Sequence, residues 1–245
     1  MNHIFSDKKY NTVWDLEYDS GNRESDETYL ELKSQEQAWV VNTYSPDMEC
    51  IDLGCGAGEL LKFLSSKLDI VEALDFSENM LEKAKMNSYG RKIKFVHADP
   101  FLHLPGSRYP VWLTTGALNQ YLDEKRMRVL FEMFVSNAQA KAFYLFDCVD
   151  PIQVKTLTLG SDFLPISPSS LLKSTLNKIL SLAIIVLFTA RLSGKSKSIR
   201  FRNPRFGFGY IPSFWNDLAK SHGLSIRILS SANFEYRYHV VIRKI

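Results

Sequence analysis

Between Cys50 and Val149, short apolar runs alternate with single helical patterns, and this alternation leaves few architectures open. "CIDLG", "IVEALDF", "KIKFVHAD", "VWLTT" and "KAFYLFDCV" read as strands. "ELLKFLSSKL" repeats Leu60, Leu61, Leu64 and Leu68 at helical spacing. "SENMLEKAKMNS" offers Ser77 as an N-cap, and "DEKRMRVLFEMFVSNA" opens near Asp123. Strands joined by one helix each must cross over and lie parallel in an open α/β sheet. The tail breaks the rule. A helix, "PSFWNDLAKSHG", closes at Gly223, and "LSIRILSS" and "FEYRYHVVIRK" then follow too closely for a helical crossover. An antiparallel C-terminal hairpin is the expectation.

The first strand runs into "CIDLGCGAGEL", where Gly54, Gly56 and Gly58 alternate before the next helical pattern. Glycine permits positive φ and close approach of a ligand to the main chain, and a following helix offers free N–H groups. The spacing is neither the G-x-G-x-x-G of a dinucleotide fingerprint nor a P-loop. Taken alone, the pattern leaves a structural turn and a ligand site both open. Asp75 ends the second strand, where a carboxylate can accept from ribose hydroxyls, and Asp99 ends the third. Either acid could also serve as a cap.

In order and separation, "IDLGCGAGEL", "ALDFSENML", "VHADPF" and "TTGALNQYL" resemble four motifs of the class I S-adenosylmethionine-dependent methyltransferases. The resemblance implies an open, doubly wound, seven-stranded, mainly parallel sheet with an antiparallel last strand. It also implies S-adenosylmethionine as cofactor and S-adenosylhomocysteine as product. By resemblance, Gly54, Cys55, Gly56 and Gly58 run beside the methionine part, and Asp52 helps to hold its amino group. Asp75 takes the ribose, and Phe76 and Met80 cover one adenine face. Asp99 accepts from the adenine amine with Pro100 nearby, while Thr115, Gly116 and Leu118 line the sulfonium end. Family members often carry a histidine pair where this chain has Asn119 and Gln120. Those two, Tyr121 and His103 are the candidates for orienting or activating an acceptor.

A length of 245 residues suits one domain, read as 48–245 with a helical lid segment at 1–47. In the lid, Tyr10, Trp14 and Tyr18 fall four apart, a helical face that packs on the domain or closes over substrate. The N-terminus lacks the apolar core of a signal peptide, and three cysteines without metal-like spacing argue against a disulfide framework and a zinc site. A cytoplasmic location is expected, with attachment to the inner face of a membrane left open.

Residues 151–210 form a long insertion after the fifth strand, where the family commonly builds its acceptor site. From Phe163 to Asn216 there is no acid, against eight cations: Lys173, Lys178, Arg191, Lys195, Lys197, Arg200, Arg202 and Arg205. The remaining 22 basic residues face all 27 acids, so a body of net −5 carries this basic insert. Within it, Ile179 to Ala190 reads as an apolar helix far too short to span a bilayer. Two readings stand: a cap helix packed on the domain or on a second copy, or an interfacial helix that brings 171–205 to a membrane. Arg200, Arg202 and Arg205 alternate with phenylalanines and suit a phosphorylated, nucleotide-linked or lipid-linked acceptor. Nucleic acid could use the same mixture and ranks lower, since no RNA-binding module accompanies it. The leading expectation is methyl transfer to oxygen or nitrogen of a small or lipid-linked acceptor. RNA methylation and a non-catalytic cofactor-binding scaffold are the alternatives.

Overall fold

The computed structural model describes residues 27–45, 48–64, 71–88, 92–116, 118, 121–160, 182–191, 197–201 and 207–245. Helix α1 (Glu27–Tyr44) leads into β1 (Cys50–Leu53), then β2 (Val71–Asp75), α2 (Glu78–Met86) and β3 (Ile93–His97). A short α3 (Pro100–His103), β4 (Val111–Thr115), α4 (Glu124–Ser136) and β5 (Ala142–Val149) follow. The insertion supplies α5 (Pro151–Gly160), a helix α6 over 182–191, and a hairpin of β6 (Ser198–Arg200) and β7 (Phe208–Tyr210). Helix α7 (Pro212–Ser221) and strands β8 (Ser225–Ser230) and β9 (Arg237–Arg243) complete the chain.

The seven-stranded sheet runs β3-β2-β1-β4-β5-β9-β8, as expected, with β9 antiparallel to both of its neighbours and the other strands parallel. Its order reverses between β1 and β4, the switch point at which such sheets open a crevice beyond the strand carboxyl ends.

Both faces are covered, which is why β1, β2 and β5 are buried along their whole length rather than at alternate positions. Every residue of β5 is buried. Phe143 and Leu145 point to one core with Trp112, Phe131, Phe134 and Trp215, and Tyr144 and Phe146 to the other with Val41, Leu61 and Ala84. Helix α4 presents Met127, Leu130, Phe131 and Phe134 to the first core, and burying each such side chain contributes about 1.5–3 kcal/mol. Ser77 and Asp123 cap α2 and α4 as expected, accepting from the amides of Met80 (3.3 Å) and Arg126 (2.8 Å).

One expectation meets a different outcome, and two segments add detail to theirs. After β1 the chain makes a single 3-10 turn, Leu60–Lys62, where a full helix was expected, and residues 65–70 lie outside the described set. The turn closes with Leu61 N–H donating to Gly58 O (3.1 Å) and Phe63 N–H to Leu60 O (3.0 Å). Gly58, at φ 84°, cannot begin an α-helix. In the N-terminal segment, α1 is part of the core through Ala38, Val40 and Val41; the lid candidates Tyr10, Trp14 and Tyr18 lie outside the described residues. Finally, α6 leaves one side uncovered: Leu182, Val186 and Leu187 are 56%, 63% and 70% exposed, while Ile185 and Phe188 are half-buried. Among the described residues no helix is long and apolar enough to cross a membrane.

Candidate active site

The glycine turn crosses the carboxyl end of β2. Gly54 and Cys55 both donate N–H to Leu74 O, at 2.7 and 3.0 Å, so the chain turns back over its neighbour immediately after β1. Gly54 and Gly56 hold φ of 73° and 57°, a region that L side chains rarely occupy. Gly58, at φ 84°, meets the same restriction and a second one, since a Cβ there would lie 3.2 Å from Ala84 Cβ on α2. Its lack of a side chain lets the turn seat on α2, so the demand at this position is one of packing as well as of conformation.

Asp75 is fixed by two backbone donors, Gly56 N–H to Oδ2 (3.0 Å) and Ser77 N–H to Oδ1 (2.9 Å). Burial raises its pKa, and these two donors oppose the rise. Each oxygen retains a lone pair, so the carboxylate can accept a pair of vicinal hydroxyls while the turn holds it still. Phe76 is half-buried against the core, its carbonyl accepting from His97 Nε2–H (2.9 Å), and Met80 is buried behind it. Asp99 caps α3 by accepting from Phe101 N–H (2.8 Å), with buried Pro100 as the first helical residue. The capping and ligand readings of this acid therefore coexist, since one oxygen suffices for the cap.

Asp52 is the outlier. It is fully buried in the middle of the sheet, and neither carboxylate oxygen has a hydrogen-bond partner among the described residues. Burial, with Asp75 and then Glu59 adding their charges, pushes it up to about 8. An orphaned carboxylate in this position is costly unless a cation or donor comes to meet it. An amino-acid ammonium would do so, and a ribose would suit Asp75. The residues present therefore fit a nucleoside linked to an amino acid. The Cys55 thiol, held well above its ordinary pKa by burial and these same acids, is a packing group there.

The far side of the site is more selective about the expected residues. Thr115 and Gly116 (φ 85°) end β4 as anticipated. Leu118 is fully buried in the core with α4, so it supports the loop after β4 from below. Asn119 and Gln120 lie outside the described residues, and Tyr121 is half-buried. His103 Nε2 is hydrogen-bonded to Glu72, which also accepts from Lys94 Nζ (2.7 Å) and Tyr109 Oη (3.2 Å). Glu72 occupies an alternate position to Asp75 on β2, so this network faces the opposite side of the sheet. Arg200 lies over the Phe208 ring at 5.8 Å, and Arg202 and Arg205 are outside the described residues.

The sequence reading missed a charged cluster at the carboxyl end of β5. A bulge between Leu145 and Cys148 puts Asp147 at φ 62° and buries its carboxylate against Lys33 Nζ of α1 (2.8 Å) and Arg237 of β9. Burial works to raise Asp147, but the two cations hold it below the usual carboxylate range. Its N–H donates to His239 Nδ1 (3.2 Å), which assigns the proton to Nε2, 3.3 Å from Glu36 Oε1. Glu36 also accepts from Ala232 N–H (2.7 Å) and Asn233 (3.0 Å); together with His239 these partners overcome burial and hold it at about 2. The one available signal was an acid inside an otherwise apolar strand, "KAFYLFDCV".

Residues 50–136 match the family described as a methyltransferase domain. No curated protein sequence matches the chain. Among solved structures the fold is shared with the DhpI–SAH complex at TM-score 0.60 and 14% identity, over 98% of this chain and 96% of that one. Magnesium protoporphyrin IX methyltransferase ChlM from Synechocystis PCC 6803 with bound SAH aligns at TM-score 0.55 and 17% identity, over 89% and 84%. Mitomycin 7-O-methyltransferase MmcR gives TM-score 0.53 and 15% identity, over 88% of this chain and 54% of that one. At these identities the likeness is one of fold.

Proposed function

We propose that this chain, whose residues 50–136 are a methyltransferase domain, is an S-adenosylmethionine-dependent methyltransferase acting on oxygen or nitrogen of a small, anionic or lipid-linked acceptor. The single observation that carries the cofactor reading is Asp52, a fully buried carboxylate without a hydrogen-bond partner among the described residues, beside a glycine turn that fixes Asp75. When bound, the cofactor supplies a methyl group on a sulfonium, whose departure as a neutral thioether needs no acid.

The work left to the protein is chiefly positional. Asp52 gives up its proton to meet an ammonium, Asp75 receives two hydroxyls on a rigid carboxylate, and Asp99 offers its second oxygen to an amine. Holding nucleophile and electrophile in line contributes up to about 7–11 kcal/mol in favourable systems, enough to carry most of such a transfer. A neutral hydroxyl acceptor would also want a base. Each of the four described histidines is engaged: His97 with Phe76 O, His103 with Glu72, His222 with Glu132 (3.1 Å) and His239 with Glu36. An acceptor whose nucleophile is ionised or unprotonated without help, such as a carboxylate, an acidic hydroxyl or a free amine, would need no such base. Magnesium protoporphyrin IX and mitomycin, after which two of the structural neighbours are named, are small molecules, which supports a small acceptor here.

The test is calorimetric titration with S-adenosylmethionine and S-adenosylhomocysteine, on wild type and Asp75→Ala. Loss of charge-assisted hydrogen bonds should weaken binding about tenfold or more while the chain stays folded. Unchanged affinity in a folded variant would sink the ribose assignment. With binding established, transfer of labelled methyl to panels of carboxylates, acidic hydroxyls and amines identifies the acceptor class.

A further inference from the structure

We propose that α6 is a docking helix by which the chain binds peripherally to an anionic lipid bilayer. Around a helix that turns about 100° per residue, Leu182, Ala183, Val186, Leu187 and Ala190 share one continuous face. All five are exposed, whereas Ile185 and Phe188, on the opposite side, are half-buried. The helix thus rests on one apolar edge and offers the other to its surroundings. The ten described residues make a rod of about 15 Å, half the hydrocarbon thickness, a length suited to lying in an interface.

Charge selects the occupant. The helix sits inside the stretch from Phe163 to Asn216, with eight cations and no acid, on a body of net −5. An anionic surface attracts this stretch and repels the remainder, which fixes orientation as well as contact. A second copy meets the opposite situation. Two-fold association would lay the same patch on itself and oppose cation to cation.

Anchoring of the insertion gives the contact a bearing on the site. Helix α5 begins at Pro151, directly after β5, and the chain returns to the same strand end through β7. A Cβ on Gly209 would lie 3.0 Å from Val149 O, so hairpin and strand end are in direct contact. Tyr210 Oη then donates to Leu122 O in the loop after β4, next to Tyr121. Both ends of the segment bearing α6 are therefore fastened at the carboxyl edge of the sheet, where an acceptor would enter.

The experiment is flotation of the full chain with vesicles of phosphatidylcholine alone or mixed in equal parts with phosphatidylglycerol, at low and high salt. Binding to the mixed vesicles should be about tenfold tighter or more, and should weaken with salt. Val186→Asp combined with Leu187→Asp should abolish it, and because both residues are exposed the variant should keep the wild-type melting temperature. Equal binding by variant and wild type, or wild type left unbound by anionic vesicles, overturns the proposal. So does a dimer at low salt that the double substitution dissolves, which would assign the face to a second copy. Neither cofactor nor acceptor enters the assay, so its failure is separable from failure of the methyltransferase reading.

Discussion

At the scale of single residues, Asp52 makes the sharpest claim because its protonation is coupled to two equilibria. Its pKa is about 8 in the folded chain and near 4 in an unfolded one, so between those values the folded state holds the extra proton. The ligand-free chain must then lose stability as pH rises from about 4 to about 8, and the penalty is complete above that. An ammonium bound against the carboxylate lowers the folded pKa, so binding at pH near 7 releases close to one proton. Cofactor affinity should therefore rise with pH up to about 8, where an α-amino group itself begins to discharge. Calorimetry in buffers of different ionisation enthalpy reads the proton directly. Asp52→Asn should bind more weakly and release none; a variant that still released one would place the proton on another group.

At the scale of elements, α1 is held to the sheet by the Lys33–Asp147–Arg237 and Glu36–His239 pairs, at a bulge that forces Asp147 to positive φ. Replacing one member of a buried ionic cluster strands the others. Asp147→Asn should cost about 3–5 kcal/mol in urea unfolding. A depressed carboxylate stabilises above its ordinary pKa, so the gap between variant and wild type should narrow as pH falls below about 4. A loss below about 1 kcal/mol at neutral pH would mean that the cluster behaves as a surface pair. The same element shows where sequence reasoning stops. Strand alternation, the Ser77 and Asp123 caps and the acids at the ends of β2 and β3 are local patterns, and all were legible. A bulge is not, because one added residue changes register only against a partner strand distant in sequence. The 3-10 turn at Leu60–Lys62 escaped for a related reason: leucine spacing suggested a helix, but Gly58 is committed to its seat on Ala84. The outward face of α6 was hidden too, since apolar composition does not say which side of a helix lacks a neighbour.

For the whole molecule, the governing feature is that an exposed aliphatic face lies within a stretch of sequence carrying eight cations and no acid, on a chain whose remainder is net −5. Two forces meet on that face and respond oppositely to salt. Charge repulsion between copies has a range of about 10 Å at 0.1 M salt and about 3 Å at 1 M. Burial of apolar surface is undiminished by salt, and is strengthened by excluded ions such as sulfate. Sedimentation velocity should therefore find a monomer near 0.1 M salt and concentration-dependent association near 1 M, reversed by the Val186→Asp, Leu187→Asp pair. Vesicle binding should move the other way over the same range, because there the charges attract. Association that fell with salt would mean that the copies meet through opposite charges, basic insert against acidic body, with the aliphatic face left out. A monomer at every salt concentration would mean that the face is covered in solution. The opposed salt responses follow from the same ten residues of α6 and the charges around them, so finding only one of the two would break the account at an identifiable point.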